Sequence, residues 1–168
     1  MAHYESPKYS VNLKDNNFEI RTYSAFYIVE YDNDSDPNIS NGFGTLFSYI
    51  SKDNDGSEKI SMTVPVIEEV KNGKKKMAFV VPAEYGDQIP TPKNSHLTVK
   101  KFDKGLFAVI RYSGLSTKEK EAKMKSNLFK WLSEVGYEVQ SNYMLAFYNG
   151  PFTPPMFRRN EIMVRVTK

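Results

Sequence analysis

At 168 residues, 40% hydrophobic and 14% aromatic, the chain has the length of one ordinary domain and enough apolar content for a core. Twenty-three basic and 20 acidic residues leave a net charge of +3, scattered along the chain. That charge suits an anionic small molecule and argues against a nucleic-acid partner, which needs a concentrated basic face. The absence of cysteine excludes disulfides, thiolate metal sites and a cysteine nucleophile.

Met1 to Glu5 lacks the apolar run of a secretory signal. The longest uncharged stretch, Val139 to Phe157, holds Pro151, Pro154 and Pro155 and cannot form a membrane helix. The expectation is therefore a cytoplasmic chain without a membrane span.

Phe18 to Tyr23 alternates apolar and polar residues and runs into the β-rich Ala25 to Val29, which predicts a strand pair or one bent strand. Asp32 to Asn38, with Pro37, reads as a polar loop, and Ser40 or Asn41 can cap a helix. Phe43, Leu46, Phe47 and Ile50 then share one helical face. Beyond Lys59 to Val66, Asn72-Gly73 predicts a tight turn between strands Val66 to Val70 and Lys75 to Val81.

Past the proline-rich midpoint, Ile89 to Pro92, the plan repeats. Leu97 to Phe102 echoes Phe18 to Tyr23 at an offset of 79 residues, and Leu106 to Arg111 echoes the strand near Ala25 to Glu30. Ser116 and Glu119 form a capping-box pattern for a helix with Met124, Leu128, Trp131 or Leu132, and Val135 on its apolar face, ended by Gly136. Strands at Tyr143 to Tyr148 and Glu161 to Val166 complete the second half. The expected fold is α+β: residues 1–168 as a single domain of two strand–helix–strand–strand repeats, about 18–81 and 97–166. Neither half could cover its own sheet alone.

Motifs for catalysis are missing. Gly42-Phe43-Gly44 lacks the later glycine of a dinucleotide loop, and no G-x-S-x-G elbow exists. Glu68 and Glu69 are neighbours on a predicted strand and should face opposite sides. His3 sits at the terminus, and His96 has no second ligand at metal spacing, so a boundary role is the simpler reading. Lys74-Lys75-Lys76 reads as a solvated hairpin tip. Asn38-Ile39-Ser40 is a sequon with no secretory context. The segment Pro151 to Phe157, followed by Arg158-Arg159, allows two readings. It could receive a flat apolar ligand bearing carboxylates, or pack over the end of the sheet with its arginines paired to acids.

Several of these stretches together resemble the SOUL haem-binding family. Phe18-Glu19-Ile20-Arg21-Thr22-Tyr23 is similar to its opening E-[VI]-R-x-Y strand, and Lys59 to Val66 to its K-I-x-M-T-x-P-V segment. Arg111-Tyr112-Ser113-Gly114 is similar to its R-x-F-S-G turn. Pro151 to Ile162 is similar to its closing P-[FW]-T-P-P-x-x-R-R-N-E-[VI] signature. The matches run in family order from about residue 15 to the end.

This resemblance implies an antiparallel, barrel-like sheet of two pseudo-repeats with two helices outside. It also implies haem or a related tetrapyrrole bound in an apolar groove near the first helix, with carriage or buffering as the role. Phe43, Phe47, Ile50, Met62, Phe152 and Met156 would supply apolar contact, and Arg158 and Arg159 would meet the propionates. The family shares no universal axial ligand. If iron is ligated at all, the sequence offers His96, Met62 or a tyrosine. One departure is plain: Asn38 to Ser51 carries no histidine and no charged residue.

An alternative is a general binder of cationic or amphipathic small molecules, since the two-repeat plan also resembles gyrase-inhibitor-like domains. Glu161 could then select cations, or it could pair with Arg158 or Arg159 and fix the loop. Catalysis ranks last, because no nucleophile–base pair is present.

Overall fold

The structure, a computed structural model, describes residues 3–32 and 42–168. The candidate caps Ser40 and Asn41, the Pro37 loop and the Asn38 sequon lie outside the described residues.

Ten strands and two helices are present among the described residues. The strands are β1 (Tyr9–Asp15), β2 (Phe18–Tyr23), β3 (Phe26–Tyr31), β4 (Val66–Lys71), β5 (Lys74–Val80), β6 (Leu97–Phe102), β7 (Gly105–Tyr112), β8 (Glu138–Val139), β9 (Met144–Phe147) and β10 (Asn160–Thr167). The helices are α1 (Gly42–Ser51) and α2 (Lys118–Val135). Every pairing between these strands is antiparallel, so the class is α+β.

The chain forms two compact units, each drawn from both sequence halves. The first comprises residues 1–7 and 25–103, the second residues 8–24 and 104–168. In the first, the strands run in the order β4-β5-β3-β6. In the second they run β1-β2-β7-β10-β9, with β8 also on β10. Among the described residues, neither order closes into a ring, so each unit's sheet is open.

The opening strands of the two repeats are exchanged. β2 pairs with β7 in the second unit, and its counterpart β6 pairs with β3 in the first. Their registers correspond: the offset that carries Phe18 onto Leu97 carries Ile110 back onto Tyr31. Phe18 faces Ile110, and Leu97 faces Tyr31. The sequence echo is thus also an echo of strand pairing.

Local chemistry explains the element ends. Asn72 and Gly73 both adopt positive φ, 52° and 76°, as the expected tight hairpin requires. Glu68 faces Met77 and Glu69 faces Lys76, on opposite sides of β4. The cap of α2 lies one residue past the expected capping box. Thr117, not Ser116, accepts the Lys120 amide at 3.1 Å, while the Ser116 hydroxyl donates to Glu121 at 2.8 Å. Gly136 closes the helix in the left-handed region at φ 82°.

Each helix covers one face of its unit. α2 packs on β7 and β10, burying Met124, Leu128, Trp131 and Leu132. Trp131 stacks on Phe18 with ring centroids 5.0 Å apart and donates its indole N–H to Asp15 at 3.0 Å. α1 packs on β3 and β5.

Candidate functional site

Helix α1 is apolar and uncharged, and it cannot bury all of that surface. Leu46, Tyr49 and Ile50 turn inward onto Val29, Tyr31, Ile60, Phe79 and Leu97. Gly42 lets the first turn lie on Tyr31, since a Cβ there would sit 3.2 Å from the tyrosine ring. The far end is held by buried Asn54. Its amide donates to the Tyr49 and Glu58 carbonyls at 2.8 and 2.9 Å, and its Oδ1 accepts from the Glu58 amide at 3.0 Å.

With the inner face filled, Phe43 and Phe47 stay 46% and 51% exposed. Their rings are near-parallel, 15° apart with centroids at 6.2 Å. Phe43 also meets the buried Phe79 edge-on at 5.4 Å. The four residues expected on one face therefore divide: Leu46 and Ile50 are core, and Phe43 and Phe47 form a firmly backed aromatic ledge. Met77 and Lys75 follow Phe79 on the same side of β5, by strand alternation.

The other ligand candidates of this unit are engaged in structure. Met62 packs against the α1 core cluster. Tyr49 is buried and donates its hydroxyl to the Pro90 carbonyl at 2.6 Å. The His96 ring lies 6.0 Å from that of Tyr31, its amide donates to Asn94 Oδ1 at 2.8 Å, and its carbonyl accepts from the Asp32 amide at 2.7 Å. Among the described residues, no three His, Cys, Asp or Glu side chains are grouped to hold a metal ion. A groove of about 360 Å³, lined by Tyr27, Ile89, Pro92, Val99 and Asp87 among others, opens on this unit. Sequence reasoning missed it, because its walls are a strand pair and an irregular segment some 60 residues apart from Tyr27.

In the second unit, the opening Phe18–Tyr23 strand and the closing signature segment are joined by an ion pair. Arg21 of β2 and Glu161 of β10 are both fully buried and bonded twice, Nη1 to Oε1 at 2.8 Å and Nη2 to Oε2 at 2.9 Å. Arg21 also donates to Glu19 at 2.8 Å and to the Tyr23 hydroxyl at 2.8 Å, and its guanidinium lies 4.2 Å from the Tyr9 ring. Arg159 donates to Glu161 at 2.9 Å and to the Tyr9 hydroxyl at 3.2 Å, while covering the Tyr148 ring at 3.8 Å. Burial alone would push the Glu161 carboxyl up. The bonds and charges of Arg21 and Arg159 outweigh it and hold the group below the ordinary carboxylate range. Burial pushes Tyr23 up to about 12, so it stays a neutral phenol. Glu161 is thus an ion-pair anchor with its oxygens filled. Of the alternatives left open for it, pairing with Arg159 holds, joined by Arg21.

The closing segment stands outward from this unit. Phe152, Met156 and Phe157 are 99%, 73% and 71% exposed. Arg158 turns back onto the loop, donating to the Thr153 carbonyl at 2.8 Å and to the Pro151 carbonyl at 3.0 Å. With these exposures the apolar side chains do not pack over the end of the sheet.

These features gain a context from sequence comparison. Residues 4–165 match the family described as SOUL heme-binding protein. The chain belongs to the SOUL haem-binding family. Binding of haem or a tetrapyrrole is the property of that family as a whole. No curated protein matches this SOUL chain significantly.

Solved structures share its fold at low identity. The C-terminal domain of EcmrR aligns with a TM-score of 0.61 at 10% identity, over 90% of this chain and 97% of that one. A protein described as a hydrolase from Listeria innocua aligns at 0.59 and 11%, over 93% and 94% of the two chains. SAV2435, solved with tetraphenylphosphonium bound, aligns at 0.51 and 11%, over 89% and 93%. No described helix of this SOUL chain is long and apolar enough to cross a membrane.

Proposed function

We propose that this SOUL protein binds haem or a related tetrapyrrole as a carrier or buffer, with the macrocycle resting on the Phe43–Phe47 ledge of α1. The observation that carries this reading is the near-parallel, half-exposed ring pair backed by Phe79. It offers a flat apolar group a flat apolar partner. Covering two half-exposed phenylalanines contributes about 1.5–3 kcal/mol, and stacking adds to it. Ile50 supports the ledge from the core side and Met62 extends the packed cluster beneath it.

The residues fit a macrocycle held by contact more readily than one held by iron ligation. α1 carries no histidine or methionine, and its one tyrosine, Tyr49, is buried with its hydroxyl committed. When bound, the group supplies a visible chromophore and, as haem, a redox-active iron. Phe43 and Phe47 orient the ring and exclude water from one face. The propionates stay at solvent, since burying unpaired carboxylates is costly. Arg159 is committed to Glu161 and Arg158 to its own loop, so neither contributes more than about 1 kcal/mol to them.

The alternative, selection of a cationic small molecule by Glu161, is disfavoured by the three guanidinium groups already on that carboxylate, those of Arg21, Arg159 and Arg111. Haemin titrations followed in the Soret band separate the readings. Phe47→Glu weakens haemin binding at least ~10-fold, because a carboxylate at the ring face must be desolvated, while Arg158→Ala changes it by less than ~5-fold. Unaltered binding in Phe47→Glu would remove α1 as the site.

A further inference from the structure

The loop at residues 150–157 exposes more large apolar side chain than any other described segment, and it holds them in place. Phe157 and Arg158 amides donate to the Pro154 and Pro155 carbonyls at 2.9 and 3.1 Å, and the Thr153 amide to Gly150 at 3.2 Å. Gly114 donates to the Pro155 carbonyl at 2.8 Å and accepts from Asn160 at 2.9 Å, tying a second turn alongside. That turn adds Leu115, 58% exposed. Three prolines, 151, 154 and 155, further restrict the backbone.

The charge around this protrusion is mainly positive, and its nearest carboxylate, Glu161, is buried against arginines. Residues 111–118 and 139–159 contain no aspartate or glutamate, but do contain Arg111, Lys118, Arg158 and Arg159. Arg111 is half exposed, with its Nε 3.5 Å from the buried Glu161 carboxylate, and Lys118 is exposed. A convex, preformed apolar tip needs no shaped cavity if it enters a bilayer interface, and an adjoining excess of cations complements anionic headgroups.

We propose that the 150–157 loop, with Leu115, is a membrane-docking wedge that inserts Phe152, Met156 and Phe157 into the interface of an anionic phospholipid bilayer. The interaction is peripheral: the apolar tips enter the headgroup boundary while Arg111 and Lys118 meet lipid phosphates. It is independent of where the tetrapyrrole binds. Such docking would give a carrier of amphipathic rings direct access to the phase in which they dissolve.

Vesicle flotation tests it, using the full chain and the variant Phe152→Ser/Met156→Ser/Phe157→Ser. All three positions are solvent-facing, so the variant keeps the wild-type thermal melt and its haemin titration. Wild type floats with phosphatidylcholine vesicles containing phosphatidylserine, and binds pure phosphatidylcholine roughly tenfold more weakly, with the difference shrinking in salt. The triple variant stays in the aqueous phase with both. The proposal is overturned if wild type ignores the anionic vesicles, or if the variant floats equally well. It is equally overturned if light scattering shows the loop merely joins two copies, with a dimeric wild type that binds no vesicle and a monomeric variant.

Discussion

Glu161→Ala lowers stability by about 3–5 kcal/mol in equilibrium unfolding, because it strips the buried Arg21 of its bidentate partner and leaves it only Glu19. Both side chains are fully shielded from water, and the Arg21 guanidinium makes two of its bonds to this one carboxylate. Arg21→Ala costs a similar amount, and the double variant costs much less than the two losses together, since they share one interaction. A Glu161→Ala loss under about 1 kcal/mol would show that the pair is not the anchor of β2 against β10 described above.

The same cluster sets the acid limb of stability. The Glu161 carboxyl is held below its ordinary value of 4.5, so its stabilising contribution is complete above that pH. It is lost as pH falls through the lower, folded-state value. At the alkaline end the sign reverses. Burial first of all pushes Tyr23, Tyr49 and Tyr112 up to about 12 from 10.0, so their contribution is intact below pH 10 and is lost as pH rises toward 12.

Leu128→Ala and Leu132→Ala each destabilise by about 2–5 kcal/mol, the cost of lost transfer energy plus a cavity under α2. Both are essentially inaccessible to solvent. Phe43→Ala removes a larger side chain yet costs less, because nearly half of the ring already faces water. Thermal or urea melts of the three variants rank them. A Phe43 loss equal to the leucine losses would mean that the ledge is ordinary core and no surface for a ligand.

The sequence patterns conveyed the class, the repeat and most element positions, for identifiable reasons. Asn72-Gly73 dictates positive φ at both residues, so its hairpin was legible to within a residue. Gly136 marked the end of α2 in the same way. β1 went unread, although Tyr9, Val11 and Leu13 alternate, because as an edge strand it buries little and its signal is weak. The exchange of β2 and β6 between units was invisible, since an echo identifies equivalent strands without naming their partners.

The candidate site was legible only in part. Helical spacing placed Phe43, Leu46, Phe47 and Ile50 together, but a single stripe cannot tell its buried edge from its exposed one. That depends on how Gly42 and Asn54 seat the helix. The arginine pair behaved likewise. Arg158 and Arg159 looked equivalent in sequence, yet strand geometry directs Arg159 onto Glu161, while Arg158 turns onto the loop carbonyls. Arg21 was present in a recognised motif, and its partner 140 residues away became evident only through the pairing of β2, β7 and β10.

The measurement that bears most directly on the central claim compares haemin with metal-free protoporphyrin. Contact with the Phe43–Phe47 ledge makes no use of the iron, so both should bind at micromolar concentration, within ~10-fold of each other, and His96→Ala should leave both titrations unchanged. Tight binding of haemin alone, abolished by His96→Ala or Met62→Ala, would contradict the account by showing that iron ligation holds the ring. Failure of both to bind at micromolar concentration would contradict tetrapyrrole binding itself.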